Sequence, residues 1–139
     1  MPTTDEDRAQ ESLSECEARR LLTTVAIGRL AFTTAALPDI QPVSFALHDG
    51  QVVIPARRGS RLVDAVRGAV VAFQADAYDA RRNGWSVTVV GASRVVTDPV
   101  HVTELNALYA APGATTPNRC YVAVALQLVR GYRIGCPLD

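Results

Sequence analysis

Lysine is missing from this 139-residue chain: all 14 basic residues are arginine. Every mechanism that needs an ε-amino group, Schiff-base formation among them, is thereby excluded. Cysteine is scarce as well. Cys16, Cys120 and Cys136 make an odd set with no Cys-x-x-Cys spacing, and the two histidines, His48 and His101, lie far apart in sequence. That pattern favours neither structural zinc nor a Cys–His nucleophile pair, and the thiols read as small hydrophobes in a reducing compartment. No apolar run approaches the roughly 18 residues a bilayer span requires. The N-terminus opens with acidic and polar residues where a leader would be basic and then apolar. The expectation is a soluble, cytoplasmic protein with no membrane partner. Net charge is lacking too, since 14 acidic residues cancel the 14 arginines and only 20% of the chain is charged. A disordered tail and a polybasic nucleic-acid binder are both disfavoured by that balance.

What is present is apolar: 48% of residues are hydrophobic. At about 150 residues per domain the length fits one unit, large enough to bury a core without disulfide or metal staples. Residues 1–11 are polar and aperiodic and read as a flexible tail, leaving 12–139 as the domain. A helix is predicted from a capping box at Ser14 and Glu17 to about Thr23. Strand character follows at Val25–Thr34, Ile40–Leu47 and Gln51–Ile54, the last two flanking His48-Asp49-Gly50, an Asp-Gly hairpin signal. Ser60 caps a short helix to Arg67, with Leu62, Val63 and Val66 on one face. Val70–Ala75 is a strand, Asp76–Asn83 a polar loop, and Trp85–Thr97 the longest strand, with a bulge or bend at Gly91. Asp98 and Pro99 start a helix to about Tyr109, Ala111–Asn118 is a loop, and Tyr121–Tyr132 closes the chain.

The sum is about six strands and three short helices without βαβ alternation, so a small antiparallel barrel is expected and a Rossmann sheet is not. Strands such as Val122-Ala123-Val124-Ala125-Leu126 are apolar on both faces, so the helices or a second subunit must cover the wall.

Three segments carry candidate chemistry. In Val53-Ile54-Pro55-Ala56-Arg57-Arg58-Gly59-Ser60-Arg61-Leu62 a strand ends at a Gly turn and three arginines gather before a helix start. Free N–H groups, the Ser60 hydroxyl and forked guanidinium donors outline an anion site, against the plainer reading of a solvated basic turn. Asn83-Gly84-Trp85-Ser86 sets the only Trp at a strand start, where it either stacks on a planar ligand or anchors the core. In Gln41-Pro42-Val43-Ser44-Phe45 a proline interrupts a strand, which marks an edge or bulge of the kind that lines ligand sites.

The order of these segments resembles the pyridoxamine 5′-phosphate oxidase-like proteins, flavin-binding split barrels. The similarity runs from about Leu13 to Thr97. It is carried by Gly28-Arg29-Leu30-Ala31, Pro42-Val43-Ser44-Phe45, Gly59-Ser60-Arg61-Leu62, Ala72-Phe73-Gln74-Ala75-Asp76, and Gly84-Trp85-Ser86-Val87 with Gly91. The resemblance implies a six-stranded antiparallel split β-barrel homodimer that holds FMN in grooves at the subunit interface. It implies phosphate contacts at Arg57, Arg58, Ser60 and Arg61, ring contacts at Val43, Ser44, Ile54 and Ala56, and an approach of Trp85 and Ser86 from the other subunit. The activity implied is a flavin-dependent oxidoreductase on a small molecule, with no nucleic-acid partner.

Relatives carry an aromatic-Arg-Thr-like end to the hairpin strand and a Lys in the turn, where this chain has Ile54-Pro55-Ala56 and Arg61. Gln74 stands where an acidic residue is frequent. Three alternatives follow: the same barrel using the deazaflavin F420, a non-enzymatic flavin or haem carrier with His48 or His101 as axial ligand, and a cofactor-less interaction barrel.

Overall fold

Tight two-residue turns set the register of the strands. The computed structural model describes residues 10–109 and 118–135. Its strands are β1 (Gln10–Leu13), β2 (Ile27–Thr34), β3 (Leu37–Ser44), β4 (Ala46–His48), β5 (Gln51–Arg57), β6 (Val70–Tyr78), β7 (Gly84–Val96), β8 (Arg119–Ala125) and β9 (Leu128–Ile134). The helices are α1 (Glu15–Leu22), α2 (Arg61–Val66) and α3 (Pro99–Asn106). β4 and β5 meet at Asp49-Gly50, both at positive φ (53° and 69°), the mirror-image turn that Asp-Gly signals. β2 and β3 meet at Ala35-Ala36, also at positive φ (51° and 64°). Nothing in an Ala pair announces that geometry.

All the strand pairings are antiparallel, and they run in the order β3-β2-β6-β7-β8-β5-β4, with β9 on β7 and β1 on β9. The sheet curls into a barrel and does not close. β3 and β5 approach each other without pairing, and β4 covers only Gln51–Val53 of β5, so the rest of that edge has no strand beside it. Both open edges are proline-bearing, with Pro38 and Pro42 on β3 and Pro55 on β5. A proline brings no N–H to a ladder, so neither edge is a template on which the seam can zip shut.

Three expectations need correction. β1 claims Gln10 and Glu11 from the expected tail, because they pair with Ile134 and Arg133 of β9. β6 extends through Tyr78 into the expected loop, because Asp76 and Tyr78 continue the ladder opposite Ser86 and Gly84. The closing strand is two pieces, β8 and β9. Both run antiparallel to β7, with Val124 opposite Ser93 and Leu128 opposite Val90, so the closing segment carries one extra residue across the break. Gly91 lies at that break, where a Cβ would come 1.9 Å from the carbonyl oxygen of Ala125, closer than any side chain permits. The expected loop at 111–118 lies outside the described residues except for Asn118, as does Cys136.

The expected caps are in place. The side chains of Ser14, Ser60 and Asp98 accept from the backbone N–H of Glu17, Val63 and His101. Glu17 does not return the bond to Ser14; its carboxylate takes Arg20 at 2.9 Å and Arg133 of β9 at 3.2 Å, which pins α1 to the sheet. The barrel interior is filled by Leu30, Val52, Ile54, Phe73, Val87, Val89, Val122 and Val124, with Leu62, Val63 and Val66 of α2 and Ala18, Leu21 and Leu22 of α1 packed onto it. A second cluster lies on the outside, where Val102 and Leu105 of α3 cover Val53, Val96, Tyr121 and Ala123. This helix explains why β8 is apolar on both faces. Among the described residues no helix is long and apolar enough to cross a membrane.

Candidate functional site

The seam between β3 and β5 opens into a groove of about 410 Å³, lined by Gln41, Pro42, Val43 and Ser44 on one side, Pro55, Ala56 and Arg57 on the other, and Ser60, Arg61 and Leu62 at one end. A volume of this size lies within the usual range of small-ligand and cofactor pockets, about 300–1,000 Å³. The floor and walls are apolar at Val43, Ala56 and Leu62, and one end carries two guanidinium groups and a hydroxyl. The chemistry suits a ligand with an apolar face and an anionic end.

Each polar group owes its position to local geometry. Val52, Ile54 and Ala56 share the inward face of β5 by strand alternation, and the small Ala56 near the strand end leaves room where Ile54 fills the core. Arg57 ends β5 with an exposed side chain that has no hydrogen-bonded or ion-paired partner among the described residues. Gly59 at φ 77° then reverses the chain into Ser60. The Ser60 oxygen accepts from Val63 N at 3.3 Å, which leaves its O–H proton to donate elsewhere. Arg61 starts α2 and reaches back across the seam to Asp39 of β3 at 2.9 Å. α2 spans only six residues, so its dipole adds little and the side chains are the principal donors.

Of the residues singled out from the sequence, Val43, Ser44, Ala56, Arg57, Ser60 and Arg61 are therefore brought together around one groove. The others are placed elsewhere. Ile54 is fully buried in the barrel core. Arg58 turns away and donates to the carbonyl oxygen of Thr97 at 2.8 Å. Trp85 is 7% exposed and packs inward with Val87 and Val89, so in this chain it is a core anchor. Ser86 faces outward on β7, where it accepts from Gln74 Nε2 at 3.0 Å in a network that continues to Asp76 and Arg29. Strict alternation along β7 is the signal that separates Trp85 from Ser86. Gln41, Pro55, Leu62 and the Arg61 partner Asp39 were not singled out as site residues. Pro55 was legible as an edge marker in the way Pro42 was, whereas Asp39 carries no local signal.

The two histidines lie away from the groove. His48 and His101 line a separate cavity of about 100 Å³ between the β4–β5 turn and α3, together with Arg94 and Glu104. Cys120 is buried in the barrel core, where burial pushes its thiol up, and Cys16 is exposed on α1. No Cys–His pair assembles among the described residues, and no group of three or more His, Cys, Asp or Glu side chains there is arranged to hold a metal ion.

Comparison with known proteins agrees with this geometry. A solved structure of an FAD-binding protein from Mycobacterium smegmatis is similar over 89% of this chain and 97% of that one, with 31% identity and a TM-score of 0.76. An FAD- and haem-binding protein of the same organism shares the fold at 23% identity and a TM-score of 0.77, over 94% of this chain and 76% of its own. An uncharacterized protein of Mycobacterium tuberculosis is 41% identical over 128 residues, covering 88% of this chain and 84% of the relative. The model of the family described as pyridoxamine 5′-phosphate oxidase matches residues 14–133, and the chain, with its open antiparallel barrel, belongs to that flavin-binding split-barrel family.

Proposed function

We propose that the seam groove binds a flavin nucleotide and that the protein is a cytoplasmic, homodimeric, flavin-dependent oxidoreductase acting on a small molecule. The observation that carries this reading is the groove itself: an unpaired seam with apolar contacts at Val43, Ala56 and Leu62 and with Arg57, Ser60 and Arg61 at one end. Forked guanidinium donors match phosphate oxygens, and charge-assisted bonds of this kind are the strong ones. Val43 and Ala56 supply the apolar surface for a flat ring. When bound, the flavin supplies the hydride or electron transfer. The chain's own residues hold the phosphate, orient the ring through Ser44 and the adjacent backbone, and exclude water with Val43, Pro55 and Leu62.

FMN is the first cofactor to test. FAD is supported by the FAD-binding relative at 31% identity. F420 suits the same arginines through its anionic tail. The test is fluorescence titration of the purified protein with each of the three, followed by anaerobic reduction of the complex that forms. Saturable binding of one of them, weakened by substitution of Arg57, supports the reading. A protein that binds none of them is a cofactor-less interaction barrel.

A further inference from the structure

Among the described residues, Arg61 is the one groove cation already engaged by an acid. Its guanidinium lies 2.9 Å from Asp39 Oδ2, and Asp39 Oδ1 accepts from the backbone N–H of Ile40 at 2.8 Å, so the carboxylate is fixed by its own strand and aimed across the seam. Arg61 is 74% exposed and Asp39 36%. A pair so open to solvent is weak, and a stronger anion can dissolve it. Arg57, at the same end of the groove, has no such partner among the described residues.

We propose that Asp39 is an internal competitor for Arg61 and sets which phosphate the groove prefers. This rests on the flavin reading above. A ligand phosphate that reaches Arg61 must displace the Asp39 carboxylate and then remain beside it, within a distance that physiological salt does not screen out. The penalty grows with the charge on the phosphate group that sits at Arg61. A terminal phosphate monoester carries about −1.5 to −2 at neutral pH, more than either phosphorus of a pyrophosphate diester bears. Asp39 therefore biases the groove against FMN and toward a nucleotide whose phosphates are both esterified, such as FAD. Riboflavin, which has no phosphate, is indifferent to it.

The test titrates FMN, FAD and riboflavin into the full-length wild type, Asp39→Asn, Arg61→Ala and the double variant, at low and at high salt. The asparagine keeps a side-chain oxygen for the Ile40 N–H, and thermal melts check that each variant folds. Asp39→Asn is expected to tighten FMN by up to about fivefold, the range that opening an exposed ion pair allows. FAD should gain less and riboflavin nothing, and the FMN gain should shrink in high salt and vanish in the Arg61→Ala background. Equal or weaker FMN binding by Asp39→Asn makes Asp39 a positioning residue for Arg61 and overturns the proposal. An equal gain for FMN and FAD overturns its selectivity. Binding of no flavin by any variant overturns the flavin reading instead, so the two failures are distinct.

Discussion

The guanidinium of Arg58 donates to the carbonyl oxygen of Thr97 at 2.8 Å, so the turn after β5 is tied to the end of β7 by a residue that its sequence neighbours suggest for phosphate binding. Its neighbour Arg57 is the one that lines the groove. Arg57→Ala is therefore expected to weaken the flavin by roughly 10- to 100-fold, the loss of one charge-assisted contact worth about 1.5–3 kcal/mol. Arg58→Ala should leave flavin affinity unchanged and lower the melting temperature slightly. Titration of both variants decides it, and a larger affinity loss at Arg58 would refute the placement of the phosphate.

The β2–β3 turn carries strain that a single substitution relieves. Ala35 and Ala36 sit at φ 51° and 64°, a region costing a non-glycine residue about 1–2 kcal/mol. Ala36→Gly gives back some of that gain through the greater freedom of the unfolded chain. A net stabilisation of about 1 kcal/mol, or about 4 °C in Tm, is expected from thermal melts. A lower Tm would show that the turn needs the alanine methyl.

Gly91 is the opposite case. A Cβ there meets backbone, the Ala125 carbonyl at 1.9 Å, and backbone cannot swing aside as the end of a side chain can. Gly91→Ala should cost about 3 kcal/mol or more and yield a protein that unfolds early in urea or fails to accumulate. Wild-type stability in that variant would mean the break between β8 and β9 is adjustable.

Alkaline pH should expose Tyr109. Burial, helped by the nearby Tyr121, raises its phenol above the ordinary value of 10.0, and its hydroxyl donates to the Val53 carbonyl at 2.7 Å. The folded protein holds this proton more tightly than the unfolded chain does. The stability it contributes is complete below the unfolded value near pH 10 and is lost as pH climbs through the higher folded value. Urea melts from pH 8 to 12 should show stability falling above about pH 10. Tyr109→Phe should be less stable at neutral pH by about 1 kcal/mol and show a shallower fall. Parallel curves for the two proteins would assign the alkaline loss to other groups.

How much of this was legible in the sequence depends on whether the signal was local. Ser14, Ser60, Asp98 and the Asp49-Gly50 turn act within a few residues, and the helices and hairpin they mark are where local chemistry puts them. β1 was not legible, because Gln10–Leu13 has no alternation and becomes a strand only through β9, far along the chain. The Ala35-Ala36 turn was hidden for the same reason: its shape is imposed by β2–β3 pairing and not by the residues in it. At the site, composition located the arginine cluster but not the direction of each guanidinium. Arg57, Arg58 and Arg61 are alike in sequence, yet Arg57 lines the groove with no partner among the described residues, Arg58 holds Thr97, and Arg61 lines the groove while holding Asp39. Strand alternation was enough to turn Trp85 inward and Ser86 outward.

Pro42 and Pro55 stand on the two lips of the opening and withhold the amide hydrogens that would knit them. A guest entering there has no interstrand bonds to break and no collapsed state to compete with. Its residence is then set by fit and charge, since no ladder has to be opened to admit it.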